Sequence, residues 1–375
     1  MVRILQISSA KTFGGGERHM LELCRGLQDR GHEVFVALRP TNEWESRLDF
    51  VPQENFLHVS IRNSFGMFSA KRIGRFLREN NIDIIHAHVA RDYLAASVAC
   101  RISKETRFVL TRHVMFPLKP FHKFALNNVD AAIAVSPAVR GQLEKIFPAE
   151  KVVVINNGLN IPDIADSDRL GREFRAFHNI PPDAKVVGTI GELKPLKGQR
   201  DLVLAANEIA KTDDKAFFVV AGKDNTADRR FRRELRRLVK VFGLEKRFLW
   251  LDWLEDTSPF FAALDVFVSP SHSESFGLAL LEAMTRGKAV VATATDGAQE
   301  LLGKVGKITP IADPLELSRA IMAFLDDSGL ARVTGEKLRE IAAERFSLKR
   351  MVDLTEKLYL DVTAGTDKAR GSDRS

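Results

Sequence analysis

Two carboxylates, Glu274 and Glu282, stand eight positions apart in the segment Pro270-Ser271-His272-Ser273-Glu274-Ser275-Phe276-Gly277-Leu278-Ala279-Leu280-Leu281-Glu282-Ala283-Met284. An apolar run at 266–268 precedes it, so the segment reads as a strand end leading into a helix. Eight helical residues rise about 12 Å and return to nearly the same face. That span suits an elongated ligand with hydroxyls at both ends, each carboxylate accepting hydrogen bonds. A diphosphate between them would meet the amides of Phe276, Gly277 and Leu278 at the positive end of the helix. A glycosidase pair, whose carboxylates stand roughly 5–9.5 Å apart, does not fit this spacing.

A second feature is Phe13-Gly14-Gly15-Gly16-Glu17-Arg18, between a short apolar run and an amphipathic stretch through Leu21, Leu23, Cys24 and Leu27. Glycines there let backbone amides approach a phosphate closely at a helix start. The dinucleotide fingerprint is not met, because its third glycine falls on His19, and no Gly-Lys-Ser/Thr ending makes a P-loop. A plain strand-to-helix turn satisfies the same residues. No metal is expected. Asp166-Ser167-Asp168 follows no apolar strand, and the histidines have no zinc-type spacing to the two cysteines, Cys24 and Cys100.

These residues need elements to position them. Strand-like runs at 3–7, 33–38, 82–86, 108–110, 131–135 and 152–155, then at 186–190, 217–221, 248–251, 266–268 and 289–292, alternate with amphipathic helical stretches. That alternation is the pattern of parallel sheets with crossover helices. The Asp- and Pro-rich stretch 160–182 separates two such series, and 375 residues with 45% hydrophobic content suffice for two cores. The expected domains are 1–162 and 163–346, a helix at 347–363, and a disordered tail at 364–375. The motifs follow strands, and ligands of open parallel sheets bind beyond the carboxyl ends of the strands. Two such sheets facing one another would make a cleft.

Two cysteines give no disulfide framework, and no apolar stretch approaches 18 residues. The net charge of +7 would attract phosphates of any kind. The densest basic run, Arg229 to Lys240, carries Phe231, Leu235, Leu238 and Val239 at helical spacing and reads as a solvated helix face. A second basic helix, with Lys71, Arg72, Arg75 and Arg78, follows the apolar stretch 65–68, which suits contact with an anionic membrane surface.

The Glu274 to Glu282 segment resembles glycosyltransferase family 4, and the resemblance extends over essentially the whole chain. It implies an α/β protein of GT-B type, with two Rossmann-like, doubly wound parallel-sheet domains across a cleft. It also implies retention of anomeric configuration by front-face substitution, independent of metal. By that resemblance Glu274 contacts the donor sugar and Glu282 the ribose. Gly191-Glu192-Leu193-Lys194-Pro195-Leu196-Lys197-Gly198 becomes the phosphate-gripping loop, with Lys197 on the diphosphate. Glu192 departs from the pattern, since the family usually has arginine there, so either Glu192 points away or Lys194 takes over the phosphate. Asn160 replaces a common aspartate. His113, in Thr111-Arg112-His113, falls near the donor sugar, with His86 and His88 as weaker candidates. Gly222 opens a loop, Trp253 and Leu254 fall where backbone groups read the base, and domain closure brings Gly15 and Gly16 to the phosphates. The last helix crosses back to the first domain.

The expected activity is sugar transfer from a UDP-, GDP- or ADP-linked donor to a glycan or lipid-linked acceptor. Bacterial cell-envelope polysaccharide or lipopolysaccharide synthesis is the expected setting. The nucleotide sugar is a substrate, and neither cofactor nor nucleic-acid partner is expected. The expected location is cytoplasmic, peripheral on the inner face of the cytoplasmic membrane. Two alternatives stay open: a nucleotide-sugar epimerase or phosphorylase on the same fold, and a non-catalytic nucleic-acid-binding protein.

Overall fold

Apolar residues run almost unbroken through the strands, as a parallel sheet covered on both faces requires. Ala-Phe-Phe-Val-Val-Ala at 216–221 is buried at every position, and 34–38 likewise. The computed structural model describes residues 1–61 and 67–372. The chain divides into two units, Met1–Gly158 with Leu348–Ser375, and Leu159–Ser347.

The first unit runs β1 (Arg3–Ser8), α1 (Gly15–Gln28), β2 (Glu33–Leu38), β3 (Phe56–His58), α2 (Met67–Glu79), β4 (Ile84–Ala87), α3 (Tyr93–Ser103), β5 (Arg107–Arg112), α4 (His122–Ala125), β6 (Ala131–Ala134), α5 (Pro137–Leu143) and β7 (Val152–Val154). Its sheet order is β3-β2-β1-β4-β5-β6-β7, all parallel. Order reverses between β1 and β4, and the crevice beyond their carboxyl ends is where such sheets bind ligands.

The second unit runs α6 (Ser167–Phe177), β8 (Lys185–Ile190), α7 (Gln199–Ile209), β9 (Ala216–Ala221), α8 (Arg230–Val241), β10 (Phe248–Leu251), α9 (Ser258–Ala263), β11 (Val266–Ser269), α10 (Leu278–Thr285), β12 (Ala289–Thr293), α11 (Asp296–Leu302), β13 (Lys307–Thr309), α12 (Pro314–Leu325) and α13 (Ser328–Arg345). Its order, β10-β9-β8-β11-β12-β13, is also all parallel, with the reversal between β8 and β11. Phe218, Phe260, Phe261 and Phe267 are fully buried in this unit. Burial of each stabilises by roughly 1.5–3 kcal/mol.

The last helix, α14 (Leu348–Ser372), returns to the first unit and packs on α1. Gly26 makes this contact close: a Cβ there would stand 2.6 Å from Val352 Cγ2. Arg30 pairs with Asp353 and with Glu356, the latter at 2.5 Å, and His32 Nε2 lies 2.8 Å from Glu356 Oε1.

Sequence and structure differ in places. Strands β3 and β13 were not expected; at three residues each, mixing polar and apolar types, they carry no periodicity to read. The first unit ends at Gly158, a few residues before 162, and α14 runs past Ala364 to Ser372. In α8 the apolar face is buried as expected, but Arg232 is buried too, bonded to Asp252 and to Leu251 O at 2.5 Å. In α2, Ile73 and Leu77 are buried while Lys71, Arg72, Arg75 and Arg78 are exposed. Phe68 is 90% exposed, whereas residues 62–66, including part of the apolar stretch, lie outside the described residues. Among the described residues no helix is long and apolar enough to cross a membrane.

Candidate active site

In the second unit the reversal between β8 and β11 brings two loops together. The loop after β8 carries Glu192, Lys194 and Lys197; the loop after β11 carries Glu274. Gly198 takes φ 66°, and a Cβ on it would overlap Pro270 O at 1.8 Å, so the loops touch backbone to backbone. His272 fastens them twice: its amide donates to Leu196 O at 2.8 Å, and Nε2 stands 2.5 Å from Asp201 Oδ2 in the first turn of α7.

Across this junction the Lys197 ammonium donates to Glu274 Oε2. Thr189, Lys197, Gln199, Ser271, Glu274 and Gly277 line a small cavity there. Gly277 takes φ 100° and precedes α10, whose first-turn amides have no acceptor within the helix. The helix begins at Leu278, so only Leu278 to Glu282 rise helically, about 6 Å. The 12 Å span expected for a continuous helix is therefore corrected, because Gly277 breaks the segment and the loop sets where Glu274 lies. Phe276 contributes backbone to this loop, while its ring is buried against Phe346 at 5.9 Å. Behind it, Gly297 N donates to Glu274 O at 3.1 Å, and a Cβ on Gly297 would stand 2.4 Å from Phe276 O.

Glu282 is 4% exposed; its Oε1 accepts from Thr257 Oγ1 at 2.5 Å and lies 3.3 Å from Arg286 Nη1. Glu192 is paired with Lys194 at 2.6 Å and accepts from Asn225 Nδ2 at 3.2 Å. Burial pushes its carboxyl up, but those partners and the Lys197 charge outweigh burial and hold it below its usual range. The acidic side chain is thus neutralised by its own loop. Gly222, at φ 153°, follows β9, and its Cβ would stand 1.8 Å from Gly191 O. Trp253, 48% exposed, and Leu254 follow β10 at one edge of the sheet. Asp166 and Asp168 stand at the start of α6, Asp166 paired with Arg169 at 3.1 Å.

In the first unit the Gly14-Gly15-Gly16 turn opens α1, with Gly14 extended at its N-cap. Gly16 faces His113: a Cβ there would lie 3.6 Å from the ring's Cδ2. Four histidines gather at this point. His86 and His88 come from the end of β4, His113 from the end of β5, and His19, which the sequence reading passed over, from α1 one turn after Gly16. Ring centroids are 4.8 Å apart for His19 and His113, 5.6 Å for His19 and His88, and 4.2 Å for His86 and His88. Burial lowers His19 to about 4, opposed by the neighbouring Asn157 carboxamide, which favours the protonated ring, and holds His86, His88 and His113 well below the usual range.

His86 is clamped by Tyr359 OH of α14 at 2.5 Å and Thr111 Oγ1 at 2.7 Å. Gln6 Nε2 donates to the same phenol at 3.1 Å, and Gln6 Oε1 lies 2.7 Å from His88 Nε2. Nearby, Asp92 Oδ2 accepts from Ser9 N at 2.8 Å, and burial pushes Asp92 up to about 6. Glu17 is likewise raised by burial.

Residues 13–161 match the family described as Glycosyltransferase Family 4, and residues 184–327 match Glycosyl transferases group 1. Among curated relatives, the N-acetyl-alpha-D-glucosaminyl L-malate synthase of Bacillus anthracis is 25% identical, with 95% of this chain and 96% of that protein covered. The lipopolysaccharide core biosynthesis glycosyltransferase LpsE of Rhizobium meliloti is 24% identical, with 91% and 94% covered. Among solved structures, Anabaena HepE in complex with UDP and glucose superposes with a TM-score of 0.82 at 23% identity, over 96% of this chain and 99% of that one. A glycosyltransferase from Rickettsia africae gives 0.86 at 21% identity, over 96% and 98%.

Proposed function

Since the chain belongs to glycosyltransferase family 4, we propose that it moves a sugar from a nucleotide donor to a glycan or lipid-linked acceptor of the bacterial cell envelope. The observation that carries this reading is the meeting of Lys197 and Glu274 at the β8/β11 reversal, beside the start of α10. A cation and a helix N-terminus there would receive a diphosphate, and the carboxylate beside them the hydroxyls of the attached sugar. UDP in the Anabaena structure makes a uridine-diphosphate sugar the first donor to test.

In the proposed reaction the bond from the anomeric carbon to the phosphate oxygen breaks, and the acceptor oxygen bonds to the same face of that carbon. The departing phosphate oxygen takes the acceptor's proton. Charge builds on the diphosphate, where Lys197 and the amides of Gly277 and Leu278 at the start of α10 stabilise it, so no divalent cation is required. Lys194 is a second cation in reach of that loop but is shared with Glu192. Glu282 is assigned the ribose hydroxyls, which would share its carboxylate with Thr257 and Arg286. Gly222, Trp253 and Leu254 complete the nucleotide side. The first unit is assigned the acceptor, with Gly15, Gly16 and His113 as its proposed binding residues. A cytoplasmic enzyme meeting the membrane through the basic face of α2 completes the proposal.

The experiment is transfer from labelled UDP-, GDP- and ADP-sugars to membrane extracts in excess chelator, with NMR of the product's anomeric centre. Product of retained configuration, made with chelator present, supports the reading. An inverted product or a strict requirement for added cation refutes the mechanism. Conversion of donor alone, to an epimer or a sugar phosphate, would favour the epimerase or phosphorylase alternative.

A further inference from the structure

We infer that His19, His88 and His113 form a three-histidine site for a borderline d-block dication, zinc foremost, in the first unit. One ring nitrogen from each lies within 4.8 Å of the other two. Imidazole nitrogens at zinc stand about 2.0–2.1 Å from the metal, which in tetrahedral geometry places them about 3.3 Å apart. His113 Nε2 and His88 Nδ1 are already 3.5 Å apart. At that distance they make a poor hydrogen bond to one another but a fitting pair of ligands.

The surroundings prepare the ligands. Gln6 spends its amide N–H on Tyr359 OH, so its carbonyl faces His88 Nε2 at 2.7 Å and takes the proton there. His88 Nδ1 is left with its lone pair directed at the cluster. A hydrogen bond on the far nitrogen is the usual way a ligating histidine is oriented. His19 Nδ1 is buried with no hydrogen-bond partner, an arrangement that a ligand would relieve. His86, held at both nitrogens by Tyr359 and Thr111, is not a ligand but backs His88. His113 is partly exposed, which gives an ion its way in, and leaves the fourth position to water or a substrate oxygen.

The donor set selects the metal. Three neutral nitrogens and no carboxylate suit zinc, nickel or copper, whereas magnesium and calcium prefer oxygen. Binding does not depend on the transferase reading. Its consequence does: an ion on His113 removes that ring from the reacting sugar, so zinc lowers the transfer rate.

The test uses untagged full-length protein stripped with chelator and titrated with zinc by calorimetry and with cobalt by visible absorption. One equivalent per chain is expected, with the intense bands of tetrahedral cobalt. His113→Gln, at a partly exposed position that does not threaten the core, abolishes the bands, as does His19→Gln. Gln6→Leu weakens affinity roughly 10–100-fold. His178→Gln, in the other unit, changes nothing. Failure of the wild type to take up one equivalent, or full affinity in His113→Gln, overturns the site. Stoichiometric binding without inhibition leaves the site standing and removes only the assigned role of His113.

Discussion

Lys197 and Glu274, 77 residues apart in sequence, are ion-paired where the loops after β8 and β11 meet. Both side chains are largely buried, at 27% and 20% exposure, so the pair lies in a setting where charge interactions are less screened than at the surface. A donor diphosphate would compete with Glu274 for the ammonium and free the carboxylate for the sugar. Glu274→Gln keeps the size and removes the charge. The expected outcome is a kcat about 100-fold lower, with donor KM changed less than about threefold. Steady-state kinetics over donor concentration checks this; an equal fall in affinity would place Glu274 in ground-state binding instead.

Gly222 supports that loop without side-chain chemistry. With φ 153° and Gly191 O at 1.8 Å from any Cβ, Gly222→Ala must shift the loop after β8. The expected loss is at least about 1–3 kcal/mol of stability, measured by urea unfolding, with weakened donor binding in the folded fraction. Unchanged stability and binding would show that the loop yields freely.

Much of this was legible in the sequence. The alternation of apolar runs and amphipathic stretches gives both sheets, and the segment from Pro270 to Met284 reads as a strand end leading into a helix, as β11 and α10 show, although not the break at Gly277. Other parts were not legible. Strands β3 and β13 exist because a neighbouring strand offers an edge, not because Phe-Leu-His or Lys-Ile-Thr demands one. His19 joins His88 and His113 only through the sheet order β1-β4-β5, and its one local signal was its place one turn after Gly16. Tyr359 reaches His86 across 273 residues, which no spacing rule anticipates. The neutralisation of Glu192 by Lys194 is neither of the two outcomes that the sequence left open, Glu192 pointing away or Lys194 taking over the phosphate, and only side-chain geometry reveals it.

Tyr359→Phe removes one hydroxyl shared by His86 and Gln6 in a fully buried setting. Leaving those groups unsatisfied costs about 1–3 kcal/mol. A lower midpoint in denaturant with an unchanged slope is expected, since the change is local. If the midpoint does not move, α14 is held by its ion pairs and apolar face alone.

Asp92 makes stability depend on pH. Burial raises its carboxyl from 3.8 to about 6, so between these values the folded protein keeps a proton that the unfolded chain has lost. Stability from this group is full below about 4 and is lost as pH rises through 6. Asp92→Asn retains an acceptor for Ser9 N and removes the titration. Wild-type stability relative to the variant should therefore fall by about 2 kcal/mol from pH 4 to pH 6 and by an amount on the order of 3 kcal/mol in all, levelling off above about pH 7. Urea unfolding of both proteins across this range is the check; a constant difference would mean that Asp92 is solvated.

The most direct measurement is calorimetric titration of the wild type and Lys197→Met with UDP, GDP and ADP in excess chelator. The account predicts selective binding of one nucleotide without metal, weakened roughly 10–150-fold by the substitution, the worth of a charge-assisted hydrogen bond of about 1.5–3 kcal/mol. Binding of no nucleotide, or equal affinity in a folded Lys197→Met protein, would contradict the donor site proposed at the β8/β11 junction.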